Sequence, residues 1–330
     1  MNAPSRPVPS APRPIPTSAA SGTRFPRGPL TSAELAAVVP GRRARDGYIR
    51  MWHGMYRRAD QPDDLRLRAV ALARSWPEGV LRGRSAALLW GDDSAPGDAP
   101  PEIWLPATRR AVPGRVYRYG ALPPSAVTEV DGLRVTTPLR TCRDLTADLP
   151  HEDAVVAFDR MCAADPGLEG LLRAATAHPS GSGSGALAEV LRDLEPRAGS
   201  PDEARARLVL HAAGHRGFVH GHEVEIRRRR AVPSLADPDA RVAVEVRSGR
   251  ESVDERARDG RTWAALRRAG WTIHVVRTDP EAEPTPGPAP GSDASSVSAA
   301  LRARWPATDV LGPLIADATA DPLGWWARPA

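Results

Sequence analysis

The sequence predicts an α+β protein with several domains. Its 330 residues exceed the length of about 100–200 residues that a single domain usually takes. Short β-branched or aromatic runs bounded by turn residues alternate with stretches in which apolar residues recur at helical spacing. Segments rich in proline, glycine and serine interrupt these elements near the start of the chain, at 178–185 and after residue 280. We therefore expect folded domains joined by linkers.

The breaks in composition set the domain boundaries that we expect. These are a disordered proline-rich tail at 1–28, a basic segment at 29–60, an α+β domain at 61–177, a Gly/Ser linker at 178–185, a small α/β domain with a mixed sheet at 186–279, a disordered linker at 280–297, and a short helix with a tail at 298–330.

The pattern of residues 29–60 predicts one short helix followed by a hairpin. Thr31 and Glu34 have the spacing of a capping box, so a helix should begin beside them. Tyr48 and Tyr56 flank the pair His53-Gly54, which favours a small basic hairpin.

The domain at 61–177 should begin with helices and continue with strands. Apolar residues recur at helical spacing between Pro62 and Trp76, and again from Arg84 to Trp90. Three strands are predicted by the runs EIWLP, RVYRYG and GLRVTTP. Two further helices are predicted by the runs LRTCRDLTADLP and HEDAVVAFDRMCAAD, which have Cys142 and Phe158 on their inward faces.

The domain at 186–279 should place helices around a small mixed sheet. We expect a helix containing Leu187 and Leu191, a second helix in PDEARARLVLHAAG, and strands near 218–226 and 232–235. A strand RVAVEVR, a helix ending at Gly270 and a strand WTIHVV complete it. The last two strands should lie in one sheet.

Charge and cysteine content narrow the class of protein. The chain has no lysine, so all 45 basic residues are arginine, and its net charge is +5. Residues 1–60 hold ten arginines against Glu34, Asp46 and Asp60, which gives this part a charge of +7. A polyanionic partner and a basic tail in a GC-rich genome both explain that excess.

No apolar run approaches the roughly 18 residues of a membrane span, and no apolar stretch of a signal peptide is present. Only Cys142 and Cys162 occur, too few for a disulfide framework. We expect a cytoplasmic protein with two reduced thiols and no membrane partner.

Several segments carry a resemblance to a known family. Residues 200–279 contain the runs SPDEARARLVLHAAG, SLADPDARVAVEVRSG and RDGRTWAALRRAGWTIHVVRTD. They resemble an actinobacterial multidomain family whose C-terminal domain is similar to very-short-patch-repair endonucleases of the PD-(D/E)XK superfamily. The runs PPEIWLP and GLRVTTPLRTCRDL resemble the AbiEi antitoxin-like middle domain of that family, and LTSAELA with WHGMYRR resembles its winged helix.

The resemblance implies candidate catalytic residues. Glu203 and Glu245 match the family's acidic positions, and Asp259 matches the aspartate of its RD-x-R pattern. Two expected aspartates are replaced, by Ser234 and Arg247. In RVAVEVR, a period of two places Glu245 and Arg247 on one face, so we expect them to pair.

A hydroxyl and a guanidinium in place of two carboxylates remove most of the potential that attracts Mg²⁺. We therefore expect no cofactor and an inactive site, in which Arg247 lowers the pKa of Glu245. Mg²⁺ enters only if the chain is an active endonuclease, and a turn near Asp237 would then supply a substitute ligand.

Other polar clusters are candidate sites. DNA contacts are expected from two groups of arginines, namely Arg42, Arg43, Arg50, Arg57 and Arg58 in the basic segment, and Arg227, Arg228, Arg229 and Arg230 in the last domain. His211, His215, His220 and His222 lack a known zinc spacing, so solvated histidines are favoured over a metal site.

These observations favour a DNA-associated protein, regulatory or antitoxin-like, that carries a degenerate endonuclease-like domain and has a toxin-type protein as a further partner. The alternative is an active metal-dependent DNA endonuclease related to very-short-patch repair. A protein that interacts with other proteins and binds no nucleic acid is a third interpretation, because fold does not fix function.

Overall fold

The computed structural model describes residues 28–38, 46–177, 184–212, 214–226, 229–247 and 251–277. The chain divides into two compact units. Unit 1 comprises Met1–Leu89 and Pro96–Thr137, and unit 2 comprises Trp90–Ala95 and Pro138–Ala330. Helices and small sheets occur in both units, so the α+β class is confirmed. In these described ranges, no helix is both long and apolar enough to cross a bilayer.

Unit 1 opens with a short helix and a hairpin, as predicted. The elements are β1 (Leu30–Thr31), α1 (Ser32–Val38), β2 (Tyr48–Trp52) and β3 (Met55–Arg58), with the antiparallel sheet order β1-β3-β2. Thr31 Oγ1 accepts from the backbone N–H of Glu34 at 3.2 Å, and the Glu34 carboxylate accepts from the Thr31 N–H at 2.8 Å. This reciprocal pair is the predicted capping box. Gly54 makes the hairpin turn at a φ of +79°, which glycine adopts without strain.

The rest of unit 1 is a five-stranded mixed sheet with helices. Its elements are α2 (Leu65–Ser75), β4 (Val80–Leu81), α3 (Gly83–Leu89), β5 (Glu102–Leu105), β6 (Val116–Tyr119), a short 3-10 helix (Pro124–Ala126), β7 (Val127–Val130) and β8 (Leu133–Thr136). The sheet order is β6-β5-β4-β8-β7, which makes β6 an edge strand. Leu72 of α2 packs with Ile103 and Leu105 of β5 in the core.

A buried ion pair fixes the start of α3. Arg82 Nη1 donates to Glu102 Oε2 at 2.8 Å, and the backbone N–H of Arg84 donates to Glu102 Oε1 at 2.9 Å. Gly83 lies between them with a φ of +49°, and a Cβ atom there would meet the Glu102 carboxylate. Glycine is therefore required at this position by both backbone and space.

The larger segment of unit 2, from Pro138 onward, begins with a group of helices. They are α4 (Pro138–Asp148), α5 (His151–Ala164), α6 (Pro166–Ala177), α7 (Ser184–Arg192) and α8 (Pro201–Ala212). Cys142 and Phe158 are fully buried, as the helical spacing predicted. This division places residues 138–177, which the sequence pattern groups with the middle domain, in the same unit as the last domain.

The remainder of unit 2 contains a hairpin and a three-stranded mixed sheet. The elements are β9 (Val224–Ile226), β10 (Arg229–Ala231), β11 (Leu235–Asp237), β12 (Val242–Arg247), α9 (Val253–Arg268) and β13 (Thr272–Arg277). β11 runs antiparallel and β13 parallel to β12, so RVAVEVR and WTIHVV do share a small mixed sheet. Val244 and Val246 pack with Leu210 of α8, whereas Ala243 packs with Trp263 of α9. The two helices therefore cover opposite faces of β12.

Several elements differ from the sequence prediction. The strand expected at 218–226 is confined to β9, preceded by an isolated bridge between Val219 and Ala236. The strand expected at 232–235 is replaced by β10 and β11 on either side of Pro233, because proline has no N–H to give to a ladder. The linker prediction at 178–185 overlaps α7, which begins at Ser184. The predictions for 1–27 and for 278–330 lie outside the described residues.

Candidate functional site

The predicted site residues meet at one end of β12 in unit 2. Ser234, just before β11, lies between the two matched glutamates. Its Oγ is 3.2 Å from Glu203 Oε1 and 3.5 Å from Glu245 Oε2. The same oxygen accepts from the backbone N–H of Val246 at 3.3 Å. A hydroxyl donates a single proton, so it bonds one carboxylate at a time and lies close to both.

Glu203 has a structural task as well as a place in the site. It is the third residue after Ser200, whose Oγ accepts from the Glu203 N–H at 3.2 Å. Glu203 Oε2 in turn accepts from the backbone N–H of Gly199 at 2.8 Å. This resembles a capping box at the start of α8, which leaves Oε1 directed at Ser234.

Glu245 is the most buried carboxylate of the site, with 5% of its surface exposed. Burial raises its pKa to about 7, although Arg247 and a hydrogen bond from Trp263 act in the opposite direction. The nearby charges of Asp259 and Glu203 add to the rise in pKa. The prediction that Arg247 would leave the pKa of Glu245 lowered was therefore wrong in its net direction, because loss of hydration outweighs one ion pair.

Arg247 forms ion pairs with two carboxylates of the site. Its Nη2 lies 3.2 Å from Glu245 Oε2 and 2.9 Å from Asp259 Oδ2. Its Cζ lies 5.2 Å from the centroid of the Trp263 ring, which adds a cation–π contact. The expected pairing of Glu245 with Arg247 is thus present, and Asp259 of α9 joins it. One guanidinium is held by two carboxylates and an indole.

Asp237, the substitute ligand considered from sequence, lies elsewhere. It pairs with Val242 at the opposite end of β12 from Glu245. Its Oδ1 accepts from the backbone N–H of Ala240 at 2.9 Å, which shapes the turn into β12. The turn therefore does not bring Asp237 to the glutamates.

The four histidines do not gather into a metal site. His220 is buried, and its Nδ1 bonds the carbonyl of Ser234 at 2.8 Å. His211 Nε2 bonds the carbonyl of Phe218 at 2.9 Å, and burial lowers the pKa of both rings. No group of three or more His, Cys, Asp or Glu side chains placed to hold a metal ion is found in the part of the chain that the structure describes.

The donors at this site do not fit Mg²⁺. That ion takes oxygen ligands in near-octahedral geometry, usually carboxylates and water. Here, Glu245 Oε2 and Asp259 Oδ2 both contact the Arg247 guanidinium, whose single positive charge offsets part of their negative charge, and the Ser234 hydroxyl lies beside Glu203. A cation entering this space would meet an arginine held by both carboxylates.

The arginines proposed to contact DNA are placed differently from one another. Arg50 is exposed, with Nη2 3.1 Å from His53 Nδ1. Arg57 donates to the carbonyl of Gln61 at 2.6 Å and Arg58 pairs with Asp60, and both side chains are only 15% exposed. These two arginines hold the base of the hairpin.

In the last domain, Arg230 is 67% exposed and pairs with Glu223 at 2.9 Å. Arg42, Arg43, Arg227, Arg228 and the side chain of Arg229 lie outside the described part of the chain.

Sequence reasoning left Trp263 out of the site, although the RD-x-R match had pointed to Asp259 beside it. The missed signal is the helical spacing of four residues between them, which puts both on the face of α9 toward β12.

Comparisons with known proteins identify relatives. The uncharacterized protein MT2308 of Mycobacterium tuberculosis strain CDC 1551 / Oshkosh is 30% identical over 248 residues, which cover 71% of this chain and 86% of that protein. The uncharacterized protein Rv2248 of Mycobacterium tuberculosis strain H37Rv matches with the same identity and coverage. No family model and no solved structure matches. With this identity over most of both chains, the protein belongs to the family of these mycobacterial proteins.

Proposed function

We propose that this chain is a DNA-associated protein, regulatory or antitoxin-like, whose nuclease-like segment in unit 2 does not cut DNA. The observation that carries the proposal is the position of Arg247, with Nη2 3.2 Å from Glu245 and 2.9 Å from Asp259. Arginine keeps its charge at every accessible pH and forms strong charge-assisted bonds to carboxylates. The guanidinium therefore occupies the place between carboxylates that a metal ion has in an active nuclease, and, unlike a metal ion, it does not activate a water.

The DNA-binding part of the proposal rests on the start of unit 1. The order β1, α1, β2 and β3 places a short helix before a hairpin, which supports the proposal that this segment is a small winged helix with the hairpin as its wing. Residues 1–60 carry a net charge of +7. Arg50 is the exposed arginine on the described hairpin, and Arg42 and Arg43 precede it. Arginines of this kind bind phosphate oxygens and carry little sequence information.

The proposal extends to location and partner. The two cysteines are free, as expected of a protein in a reducing compartment. We propose a cytoplasmic location on that ground, and a toxin-type protein as the partner on the resemblance of the middle segment to AbiEi antitoxins.

The absence of cleavage is tested with the full chain, supercoiled plasmid and Mg²⁺ or Mn²⁺. We expect no nicking and no calorimetric Mn²⁺ binding by the unaltered protein. Ser234→Asp together with Arg247→Asp should create Mn²⁺ binding, because it returns oxygen ligands to the space between Glu203 and Glu245. Arg241→Asp, at an exposed arginine just before β12, is the matched control and should bind no cation. Nicking by the unaltered protein that is abolished by Glu245→Ala would overturn the proposal.

DNA association is tested by fluorescence anisotropy with a labelled duplex. The variant Arg42→Ala, Arg43→Ala, Arg50→Ala should bind more weakly, and the slope of log K against log salt should fall by about 0.9 for each phosphate that the protein no longer neutralises. The matched control changes Arg66, Arg173 and Arg192, which pair with Asp131, Glu169 and Glu189. Equal binding by the two triple variants would contradict the assignment.

A metal-dependent endonuclease is the second candidate, favoured by one observation. Glu203 and Glu245 both approach Ser234 Oγ, at 3.2 and 3.5 Å, so two acidic side chains do converge. The plasmid assay separates the candidates, since only an active endonuclease loses nicking when Glu245 is replaced.

A further inference from the structure

A cluster of partly exposed aromatic side chains packs on the edge of the core in unit 1. Its four members pack against the buried side chains of Leu72, Ile103 and Leu105 and are themselves partly exposed: Trp52, Trp76, Tyr117 and Tyr119. They come from the end of β2, from the residue after α2 and from the edge strand β6. Three separate elements therefore contribute rings to one surface.

The register of β5 and β6 explains why both tyrosines face this way. The two strands are parallel, with Tyr117 opposite Ile103 and Tyr119 opposite Leu105. Since side chains alternate along a strand, Tyr117 and Tyr119 share the face that packs on α2. Trp52 is fixed beside them by a hydrogen bond of 3.0 Å from its Nε1 to Ser75 Oγ.

Two arginines lie over the two tryptophans. The Cζ of Arg115 is 4.7 Å from the centroid of Trp52, and that of Arg109 is 5.1 Å from the centroid of Trp76. Each pair is also tied to a tyrosine, because Arg115 Nη1 lies 3.4 Å from the Tyr117 hydroxyl and the Tyr119 hydroxyl donates to the Arg109 carbonyl at 2.8 Å. The surface thus repeats one unit of arginine, tryptophan and tyrosine. We call it the Arg/Trp face.

Charge sets the Arg/Trp face apart from its surroundings. Over the residues that the structure describes, neither Arg109 nor Arg115 has an ion pair with a carboxylate. Other arginines of unit 1 do have such pairs, as in Arg58–Asp60, Arg66–Asp131, Arg68–Asp63 and Arg82–Glu102. The segment 103–128 contains four arginines and no acidic residue. The two guanidiniums therefore keep N–H groups for an external anion.

We propose that the Arg/Trp face binds single-stranded nucleic acid. Unpaired bases stack on aromatic rings and on guanidinium planes, and arginine N–H groups bind the phosphates between the bases. Both kinds of group are present here in alternation. The bases of a duplex are hidden in their own stack, so a duplex would use the charges and leave the rings without a role. This site shares no residue with the Ser234 site. It adjoins Arg50 of the duplex-binding set, whose Nε donates to the Trp52 carbonyl at 3.3 Å, but it rests on Arg109, Arg115 and the four rings, and it does not depend on the function proposed above.

Binding is measured with the full chain and a fluorescein-labelled oligothymidine of about 15 nucleotides, a length that spans the site of a typical single-strand binder. An oligouridine and an oligo(2′-deoxyuridine) of the same length differ only in the 2′-hydroxyl, so their affinities show whether RNA or DNA is preferred. In Arg109→Ala with Arg115→Ala, we expect affinity to fall about tenfold and the salt slope to fall by about 1.4, or about 0.7 for each phosphate. The control variant, Arg66→Ala with Arg192→Ala, removes the same charge from exposed ion pairs and should bind as the unaltered protein does.

A second measurement uses the unaltered protein and so does not depend on how a variant folds. An oligonucleotide containing 5-iodouracil is irradiated in complex with the protein, and the crosslinked peptides are identified by mass spectrometry. Crosslinks at Trp52, Trp76, Tyr117 or Tyr119 are expected, because the halogenated base reacts with rings that it contacts. Crosslinks confined to other segments, or equal affinity and salt slope in the two double variants, would overturn the proposal. The two proposals are tested with different variants and different DNA, because Arg109 and Arg115 are intact in the duplex and plasmid assays and Arg42, Arg43 and Arg50 are intact here, so one proposal can fail while the other holds.

Discussion

At the scale of single residues, the carboxyl group of Glu245 shows how burial and pairing compete. Its side chain is 5% exposed and touches Arg247, yet its pKa is raised to about 7. An ion pair at a surface would have lowered the pKa, but here hydration is lost and two further carboxylates lie near. The carboxyl group of Glu245 therefore keeps its proton to a higher pH than an exposed glutamate does.

This raised pKa makes stability depend on pH. Between the ordinary pKa of 4.5 and the folded-state value of about 7, the folded protein keeps a proton that the unfolded chain has lost. The contribution of Glu245 is therefore fully present below pH 4.5 and is lost as pH rises through about 7. Glutamine does not titrate, so we expect Glu245→Gln to remove this loss. The free energy of unfolding of Glu245→Gln, minus that of the unaltered protein, should rise by on the order of 3 kcal/mol between pH 4.5 and about 7.

The measurement is urea unfolding of both proteins at a series of pH values. Glu189→Gln, at a residue whose side chain is 62% exposed, serves as the control and should show no such trend. A difference between Glu245→Gln and the unaltered protein that stays constant with pH would contradict the environment described for Glu245.

At the scale of elements, helices α5 and α8 are joined by a buried ion pair. Arg207 Nη2 donates to Asp159 Oδ2 at 3.1 Å and to the carbonyl of Asp193 at 2.7 Å, and the paired side chains are 2% and 1% exposed. Asp159 Oδ1 also accepts from the backbone N–H of Glu195 at 2.6 Å. Removing one partner would leave a charge without hydration or counter-ion.

We expect Asp159→Ala to lower the free energy of unfolding by about 3–5 kcal/mol, the usual cost of breaking a buried pair from one side. Asp159→Leu with Arg207→Met should cost less, because no isolated charge remains. The neighbouring Arg160→Ala is the control, since its partner Asp93 is 60% exposed and such pairs are worth about 1 kcal/mol or less. Equal losses in Asp159→Ala and Arg160→Ala, measured by urea unfolding, would show that the buried pair has no special cost.

The start of helix α3 requires glycine at position 83. A methyl group at Gly83 would meet the Glu102 carboxylate, and the φ of +49° disfavours any side chain. Gly83→Ala should therefore destabilise unit 1 by more than the roughly 1 kcal/mol of an ordinary left-handed residue. Gly97→Ala is the matched control, because no atom lies within 4 Å of its added Cβ and no left-handed φ constrains it. Thermal unfolding that is the same in both variants would contradict this account.

Local sequence patterns predicted elements well where they were long or had a cap. The capping box at Thr31 and the alternating run around Glu245 gave the correct element and the correct facing residues. Sequence patterns did not predict β4, which has only two residues. They also did not predict the hairpin of β9 and β10, because its arginine run has no alternation of polar and apolar residues. The pKa of Glu245 was missed because a strand pattern gives the neighbours on one face and not the depth of burial.

At the scale of the whole molecule, the chain crosses between its units more often than the sequence suggests. Trp90–Ala95 belongs to unit 2, although residues on both sides of it belong to unit 1. Asp93 pairs with Arg160 at 2.7 Å, and the carbonyl of Ser94 accepts from Arg205 at 3.4 Å. No change in composition marks this segment. An apolar helix face predicts that a helix is buried but does not identify the element that buries it, so the sequence did not predict that 138–177 belongs to unit 2.

This crossing predicts the behaviour of a fragment. A chain consisting of residues 138–277 lacks Trp90–Ala95, so it should unfold at a lower urea concentration than unit 2 does in the full chain. Adding a synthetic peptide of residues 88–97 should raise the midpoint, whereas a scrambled peptide should not. A fragment as stable as unit 2 in the intact protein would show that the segment contributes nothing to it.

The burial of the two cysteines has a practical consequence. Cys142 is 0% and Cys162 is 2% exposed. Burial raises the pKa of the Cys142 thiol far above its usual range and that of Cys162 to about 12. Alkylating reagents attack thiolates that they can reach. Iodoacetamide should therefore react with Cys142 only when helix α4 opens and with Cys162 only when helix α5 opens. The alkylation rate of the native chain therefore reports how often these helices of unit 2 open. It can be measured with and without DNA, and no label has to be introduced.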